Sequence, residues 1–459
     1  MACAKLLWIT SPELQLDRKL SVADIRPFRG VRYNQRLVND LAAVICPPYD
    51  IITPQMQPEL YRRSEYNFVR LEFNRELPQD TANDNKYTRS AATLEQWLKQ
   101  DILVADEKPA IYLHDHYFTH QDREYRRRGM IARVRLEEWD RTVVRPHEGT
   151  MAEPKGDRLS LLWALQANTS SVFTFFEDRG KQISSLLTAE GQKPPIISIG
   201  AGGERHDLWA ITDTEAVNQI HDNFADRPLY IADGHHRYES ALAYRRERCA
   251  ISATVSGDEG FNFVMMTLVD LADPGLIILP PHRLVRGVSK STLDGLLARL
   301  KRFFEIEELS SVAAGTWQRI DELLSERTDQ VMLVLFGLTG ERPLLLRLRD
   351  FDAADRMMPH FHSELYKQLD VSVADHVILE GLLGFSHGRE EASLAYSYDR
   401  QDALNRVQGQ EFQLAFLLRP LKAAAIKAVA DAGDRMPRKS TYFYPKLPSG
   451  LIFHTFSQP

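Results

Sequence analysis

The alternation of apolar and polar residues predicts short strands and amphipathic helices in turn along most of the chain. Period-two patterns in AIYLHDHYF and EYRRRGMIARVRLEEW, on either side of the polar turn THQDR, predict two paired strands. SVFTFFED and HDLWAIT are predicted as further strands, and YNFVRLEFN, which also alternates, as a half-buried strand. Helical spacing of apolar residues predicts helices in TRSAATLEQWLKQDILV, GDRLSLLWALQAN and DTEAVNQIHDNFA. We therefore predict an α/β fold of the mixed α+β type.

The pattern changes near residue 289, and this change divides the chain into predicted units. Between 289 and 349, two helices (STLDGLLARLKRFFE and TWQRIDELLSER) and two strands (QVMLVLFG and RPLLLRL) predict a compact inserted α/β lobe. Residues 1–21 are predicted as a peripheral extension, and residues 22–288 with 350–459 as the core that contains the functional site. The length of 459 residues agrees with two or three units, because a single core rarely grows so large.

One segment, RPLYIADGHHRYESALAYRR, predicts a strand, a tight turn and a helix in direct succession. Asp233-Gly234 favours a turn, because glycine tolerates a positive φ. His235, His236 and Arg237 then fall in the first helical turn, where free N–H groups and the helix dipole favour an anion. We predict that Asp233–Arg237 binds phosphate, with Arg237 able to hold two oxygens. The alternative is a turn whose histidines only stabilise the fold; a zinc site is disfavoured because no cysteine is near.

Three further polar segments are candidates for the same site: VVRPHEGTMAEPKGDRLSLL, LIILPPHRLVRG and RMPRKSTYFYPK. The first is a loop that can supply a proton acceptor, a metal ligand and phosphate contacts together, although an ordinary solvated loop looks similar. The third is a basic and hydroxyl-rich segment that suits phosphate oxygens, although such clusters are also common on surfaces. The predicted catalytic residues are Glu148, His147 and Asp157; the predicted phosphate-binding residues are Lys155, Arg158, His282, Arg283, Lys439, Ser440 and Thr441; and the predicted metal ligands are Asp233 and Asp157. In CPPYDII, Tyr49 and Asp50 lie on a proline-stiffened turn that suits a structural role equally well.

Composition excludes several classes of protein. The net charge of −6 and the pI of about 6.2 provide no general basic field, so no nucleic-acid partner is expected. No run of about 18 apolar residues predicts a membrane helix. Three distant cysteines argue against disulfides and cysteine-rich zinc sites, and we expect a cytoplasmic protein. Neither a P-loop nor a G-x-G-x-x-G fingerprint occurs, so a nucleotide would bind by another route. The oligomeric state is not predicted.

Several stretches resemble, in the same order, the bacterial and archaeal domain-of-unknown-function family 1015 (DUF1015). They are IRPFRGVRY, CPPYDII, NFVRLEF, PHEGT with KGDRL, IADGHHRYESALAYR, LPPHRLV and MPRKSTYFYPKLPSGL. The DGHHR motif also resembles the phosphate motif of the ParB/sulfiredoxin-like superfamily, which includes free serine kinases, CTP-binding ParB switches and sulfiredoxins. This second resemblance implies a ParB/sulfiredoxin-like core with nucleotide phosphates at the turn. In the serine kinases a separate glutamate acts on the substrate hydroxyl, and Glu148 and Glu72 are both candidates. Sulfiredoxin activity is disfavoured because the motif lacks a cysteine.

Together these observations predict a nucleotide-dependent phosphotransferase acting on a small hydroxyl metabolite, such as free serine. The expected cofactors are ATP, ADP or CTP and Mg²⁺, which Asp233 or Asp157 would help to hold, because a carboxylate beside phosphates needs a bridging cation. Glu148 or His147 would take the hydroxyl proton. The alternatives are a non-catalytic nucleotide-binding regulator and a phosphate-ester hydrolase. In each case we expect the loop 147–158, the pair 282–283 and the segment 439–441 to meet at the turn.

Overall fold

A computed structural model describes residues 23–252, 255–310, 314–325, 330–385 and 393–456. The predicted extension at 1–21 lies outside these residues. The strands are β1 (Ile25–Arg26), β2 (Val31–Tyr33), β3 (Leu103–Ala105), β4 (Ile111–His120), β5 (Arg123–Arg135), β6 (Val144–Arg145), β7 (Ala167–Asn168), β8 (Val172–Phe176), β9 (Ile197–Ala201), β10 (Glu204–Ile211), β11 (Leu229–Asp233), β12 (Phe263–Asp270), β13 (Ile277–Leu279), β14 (His282–Val285), β15 (Phe304–Glu308), β16 (Met332–Gly337), β17 (Gly340–Leu348), β18 (Leu394–Ser397), β19 (Leu414–Leu417), β20 (Tyr442–Tyr444) and β21 (His454–Thr455).

The α-helices vary from single turns to 17 residues. They are α1 (Leu41–Val44), α2 (Met56–Arg63), α3 (Val69–Glu72), α4 (Lys86–Lys99), α5 (Ala152–Leu165), α6 (Gln182–Glu190), α7 (Thr214–Asn223), α8 (His235–Ile251), α9 (Lys290–Leu300), α10 (Ala314–Ser325), α11 (Phe351–Asp355), α12 (Glu364–Lys367), α13 (Asp370–Ser372), α14 (Arg400–Gln408) and α15 (Ala423–Asp431). A π-helical segment, Val373–Leu382, continues α13. None of the described helices combines the length and apolar character needed to cross a membrane.

A nine-stranded mixed sheet forms the larger part of the fold. Its order is β6-β11-β8-β12-β5-β4-β10-β9, with β1 paired to β5. The predicted pair of strands around THQDR is confirmed as the antiparallel hairpin of β4 and β5. Helices α5 and α8 pack against each other beside this sheet, and α8 directly follows β11. The mixed α/β class is therefore confirmed, while the ParB/sulfiredoxin-like character of this sheet stays a prediction.

A second, six-stranded antiparallel sheet has the order β15-β17-β16-β19-β14-β18. The predicted strands QVMLVLFG and RPLLLRL are confirmed as β16 and β17. This sheet extends beyond the range 289–349, because β14 precedes that range and β18 and β19 follow it. The domain bounds stay a prediction. One cluster of buried side chains includes Phe173 and Phe175 of the first sheet with Leu333 and Phe416 of the second, so the two sheets share a hydrophobic core.

The strand predicted in YNFVRLEFN is wrong, because residues 69–72 form helix α3. Phe68, Val69 and Leu71 are all fully buried, so both faces of the segment are covered. The alternation of apolar and polar residues therefore does not mark a strand with one exposed face. Asn67 directs the turn: its side chain accepts from the Val69 N–H at 3.1 Å and donates to the Ala43 carbonyl at 2.7 Å. These side-chain bonds give the backbone an alternative to strand pairing.

Candidate functional site

The strand–turn–helix unit at DGHHR begins the candidate site. Strand β11 ends at Asp233, Gly234 has φ 92°, and α8 starts at His235 without a side-chain cap. The first intrahelical bond runs from the Tyr238 N–H to the Gly234 carbonyl at 3.0 Å. Within the described chain no acceptor is bonded to the N–H groups of the three residues 235–237. Three free donors at the start of a 17-residue helix are suited to binding an anion.

The side chains of this motif, in contrast, are bonded to protein groups. Arg237 donates from Nη2 to Asp233 Oδ2 at 2.8 Å and from Nη1 to the Ser171 carbonyl. His235 Nε2 accepts from the His147 N–H at 3.3 Å, and His236 Nε2 accepts from the Met151 N–H at 2.9 Å. Burial lowers the pKa of both histidines, so they are neutral near pH 7. The histidines therefore add no positive charge to the turn, and its free donors are the backbone amides and the buried Nε of Arg237.

His147 joins the loop before α5 to two other parts of the site. Its Nδ1 donates to the Ile231 carbonyl at 2.7 Å, and its Nε2 accepts from the Thr441 hydroxyl at 3.0 Å. Burial lowers its pKa to about 4, so the ring is neutral at pH 7. With both ring nitrogens bonded, His147 holds β11 and the segment 439–441 together and has no free lone pair for a substrate proton.

Glu148 has a free carboxylate oxygen next to the turn. Oε1 accepts from the Lys439 N–H at 2.9 Å, whereas Oε2 has no partner among the residues that the structure describes. Burial, with a smaller contribution from the charge of Asp233, raises the pKa of Glu148. A carboxylate with a raised pKa and a free oxygen is suited to accept a proton. Glu72, the other glutamate candidate, is fully buried, with Oε1 accepting from Ser170 and Oε2 unpartnered, so a substrate does not reach it as placed.

Lys446 and Asp50 belong to this cluster; both lie in sequence segments considered above, RMPRKSTYFYPK and CPPYDII, but neither was among the predicted site residues. Lys446 Nζ donates to Asp233 Oδ1 at 2.7 Å and lies 3.9 Å from Asp50 Oδ2. Although burial opposes it, Lys446 and Arg237 hold the pKa of Asp233 well below its usual range. Burial and the charge of Asp233 raise the pKa of Asp50. Their only sequence clue was the rigid CPPYD turn and the YPKLP stretch, whose proximity to Asp233 depends on distant parts of the chain.

The pair His282–Arg283 contacts the predicted site residues through a bond from the Arg283 side chain to a backbone carbonyl. Arg283 is fully buried and bonded to Asp375 by Nε and Nη2, each at 2.9 Å, and its Nη1 donates to the Lys439 carbonyl at 3.2 Å. His282 Nδ1 accepts from the Leu418 N–H at 3.1 Å. As placed, these side chains fix Lys439 and the second sheet rather than facing an open phosphate site. The exposed ammonium of Lys439 has no ion-pair partner in the described chain, whereas the Ser440 hydroxyl donates to the Pro437 carbonyl.

Asp157 and Arg158 lie on the other side of α5, next to α4. Asp157 accepts from the Tyr87 hydroxyl at 2.8 Å and pairs with Lys86 at 2.9 Å and with Arg158. Against the effect of burial, Arg158 and Lys86 lower its pKa to about 2. No contact joins Asp157 to Asp233, so the structure does not bring together the two predicted metal ligands. Arg158 and Arg237 do line one cavity, while the ammonium of Lys155 is 3.9 Å from Glu239.

A second polar cluster lies between β4 and β10, where His116, His206 and Glu204 could be taken for metal ligands. His116 Nε2 is 2.6 Å from Glu204 Oε2, and Arg127 Nη2 donates to His116 Nδ1 at 2.9 Å. A metal on Nε2 would require a proton on Nδ1, which would then face the Arg127 N–H. The arrangement therefore fits a hydrogen-bond chain from Arg127 to Glu204 rather than a metal. The sequence places His114 and His116 on one face of β4, but it does not show that His206 of β10 lies beside them.

Comparisons with known proteins give distant similarities for the structure. A free serine kinase in complex with AMP aligns at 13% identity over 67% of this chain and 89% of its own, with a TM-score of 0.33. A conserved hypothetical protein from Pyrococcus furiosus aligns at 12% identity, covering 69% and 94%, with a TM-score of 0.33. SbnI with a C-terminal truncation from Staphylococcus aureus aligns at 10% identity, covering 70% and 85%, with a TM-score of 0.31.

The comparisons by sequence are of two kinds. A search of curated proteins finds no match. The profile of a family described as "Protein of unknown function (DUF1015)" matches residues 25–372, which include the CPPYD turn, Glu148, the DGHHR motif and Arg283. Because this match covers well over half of the chain, the chain belongs to the DUF1015 family.

Proposed function

We propose that this protein is a nucleotide-dependent phosphotransferase that acts on a small hydroxyl metabolite, with free serine as a candidate. The observation that supports it most is the proximity of two complementary groups. His147 joins the loop that presents Glu148 directly to His235, the first residue of α8, through a 3.3 Å hydrogen bond. The free amides of 235–237 would bind nucleotide phosphates, and the free oxygen of Glu148 would face the acceptor.

The proposed reaction transfers one phosphoryl group. The hydroxyl oxygen of the metabolite forms a bond to the terminal phosphorus of the nucleotide, while the bond from that phosphorus to the leaving phosphate oxygen breaks. The bonding electron pair leaves with the shortened nucleotide, and the hydroxyl proton passes to Glu148. The exposed ammonium of Lys439, whose backbone N–H is bonded to Glu148, would add positive charge beside the phosphates.

Mg²⁺ fits this site only in part. Both oxygens of Asp233 are bonded to Lys446 or Arg237, and both oxygens of Asp157 are bonded elsewhere. Asp50 is partly exposed, and no described side chain donates a hydrogen bond to it. Since Mg²⁺ is usually held by one or two carboxylates together with substrate phosphates, we propose Asp50 in place of Asp157 as its ligand. When bound, Mg²⁺ would neutralise phosphate charge.

Glu148→Gln tests this proposal, because it retains the shape of the side chain and removes only its charge. We expect nucleotide affinity to stay within a few-fold of wild type, while phosphoryl transfer falls by about 10²–10⁴. Binding of ATP, ADP, CTP and GTP is measured by thermal shift with and without Mg²⁺, and transfer by phosphorylated product. Glu259→Gln is the control, because Glu259 also accepts a backbone N–H, from Gly257 at 2.9 Å. Full transfer activity in Glu148→Gln would contradict the proposed role of Glu148.

A non-catalytic nucleotide-binding regulator is the second candidate. It is favoured by the bonds that His235, His236 and Arg237 make to protein groups, which leave mainly backbone amides for binding a nucleotide. A wild-type protein that binds nucleotide but phosphorylates none of the hydroxyl metabolites tested would favour this candidate over the phosphotransferase.

A further inference from the structure

Lys446 is held at the DGHHR turn by charge on both sides. Its ammonium donates to Asp233 at 2.7 Å, lies 3.9 Å from Asp50, and is 4.8 Å from the centre of the Tyr442 ring. Only 10% of the side chain is exposed. Of the three N–H groups on the ammonium, the bond to Asp233 uses one, and Asp50 is beyond hydrogen-bond distance. Lys446 therefore has donors available next to the start of α8.

The backbone before Lys446 is fixed by a buried arginine. Arg127, which is 2% exposed, donates from Nη1 to the Tyr444 carbonyl at 3.1 Å and from Nη2 to the Pro445 carbonyl at 2.8 Å. No carboxylate forms an ion pair with Arg127 in the described residues, although burying an unpaired guanidinium is costly. Burial lowers its pKa to about 10, so it is still charged at pH 7. A buried, charged arginine therefore fixes the carbonyls of Tyr444 and Pro445, the two residues that directly precede Lys446.

The negative charge of Asp233 at the turn explains why a cation at position 446 would help to bind phosphate. Asp233 comes two residues before the first amide of α8, so a phosphate on those amides would approach its carboxylate. Arg237 and Lys446 each pair with one oxygen of Asp233. Arg237 also donates to Ser171, and its Nε is buried without a partner, whereas the remaining N–H groups of Lys446 have no bonded acceptor in the described chain. Lys446 therefore keeps donors for a ligand on the opposite oxygen of Asp233 from Arg237.

We propose that Lys446 is a phosphate-binding residue that contacts the transferred phosphoryl group. This inference rests on the proposed phosphotransferase function and assigns it a residue from the far end of the chain. The ammonium neutralises Asp233 in the free protein, and in the complex it also donates to a phosphate oxygen.

Lys446→Met removes the ammonium and retains most of the apolar chain. We expect its affinity for ATP to fall at least tenfold and its transfer rate at least a hundredfold, measured by calorimetry and by product formation. Lys427→Met is a matched control, because Lys427 pairs with Asp431 at 2.8 Å and lies 5.5 Å from the Tyr230 ring. That control should bind and transfer like wild type. Equal ATP affinity in Lys446→Met and wild type would overturn the proposal.

Lys446→Arg separates a phosphate contact from a structural ion pair, and it retains the charge if Lys446→Met does not fold. Arginine can still pair with Asp233 but places its donors differently. We expect normal thermal stability and a transfer rate at least tenfold below wild type; a wild-type rate would mean that only a positive charge is needed beside Asp233 and would overturn a contact specific to lysine. If wild type itself binds none of ATP, ADP, CTP and GTP, the phosphotransferase proposal fails. Binding of inorganic pyrophosphate then tests the role of Lys446 separately. A tenfold loss of pyrophosphate affinity in Lys446→Met supports the phosphate contact, and an unchanged affinity overturns it.

Discussion

Burial keeps several histidines of this protein uncharged, and the sequence does not show which ones. DGHHR was correctly placed at a strand–turn–helix junction, because Asp-Gly and helical spacing are local patterns. The state of His235 was not predictable, because its neutrality comes from packing under the loop that contains His147. For the same reason the proximity of Lys446 and Asp50 to Asp233 was not predictable, although both lie in candidate segments: Asp233 is far away in the sequence.

His454 gives a test of these neutral histidines. It is buried between Phe28 and Phe456, neither ring nitrogen has a partner, and burial lowers its pKa to about 3. Below pH 6.5 the unfolded chain gains a proton here that the folded protein does not, so stability is lost as pH falls from about 6.5 towards 3. His454→Phe removes this loss. We expect the free energy of unfolding of His454→Phe, relative to that of wild type, to rise by about 1.4 kcal/mol for each unit by which the pH falls within that window.

Urea unfolding at pH 7.0, 6.0 and 5.0 gives the measurement. His221→Asn is the control, because it removes a histidine that is exposed rather than buried. A pH-independent difference for His454→Phe would mean that the ring is protonated in the folded protein.

Helices and strands were predicted correctly where a local residue pattern was sufficient. The prediction failed where contacts with distant residues determined the backbone conformation. Helices α4, α5 and α7 and the hairpin of β4 and β5 follow from periodicity alone. Helix α3 does not, because Asn67 bonds to distant carbonyls and its flanking apolar residues are buried on every side. The turn between β11 and α8 required glycine, and the structure shows a second reason for it. A Cβ at Gly234 would lie 2.9 Å from Arg237 Nε.

Gly234→Ala should therefore weaken both the turn and the anion site. The left-handed backbone costs a residue with a Cβ about 1–2 kcal/mol, and the contact would also displace Arg237 from Asp233. We expect a lower melting temperature and at least a tenfold loss of ATP affinity. Gly202→Ala is the control, because Gly202 also has a positive φ, 62°, but a Cβ there would meet nothing within 4 Å. If both variants bind ATP equally well, the proximity of Arg237 is not important for binding.

At the scale of the whole molecule, the chain builds the second sheet and then returns to pair with two strands that precede it, in two separate two-stranded sheets. After β13 it builds the second sheet, and then β20 pairs with β13 and β21 pairs with β7. Length and the change of pattern near residue 289 predicted separate units, and this division stays a prediction. The membership of β14, β18 and β19 in one sheet was not, because strand partners distant in sequence leave no local pattern.

This return of the chain has a consequence for protein synthesis. Lys446 is translated roughly two hundred residues after Gly234, which at ~5–20 residues per second corresponds to roughly 10–40 s. During that interval the phosphate turn exists without the lysine that neutralises Asp233 and without the Thr441 hydroxyl that holds His147. A ribosome-bound chain is thus expected to bind nucleotide weakly until the segment that contains Lys446 emerges. ATP binding measured on stalled chains of increasing length should reach full affinity only once Lys446 has left the ribosome, and full affinity at an earlier stage would contradict this order.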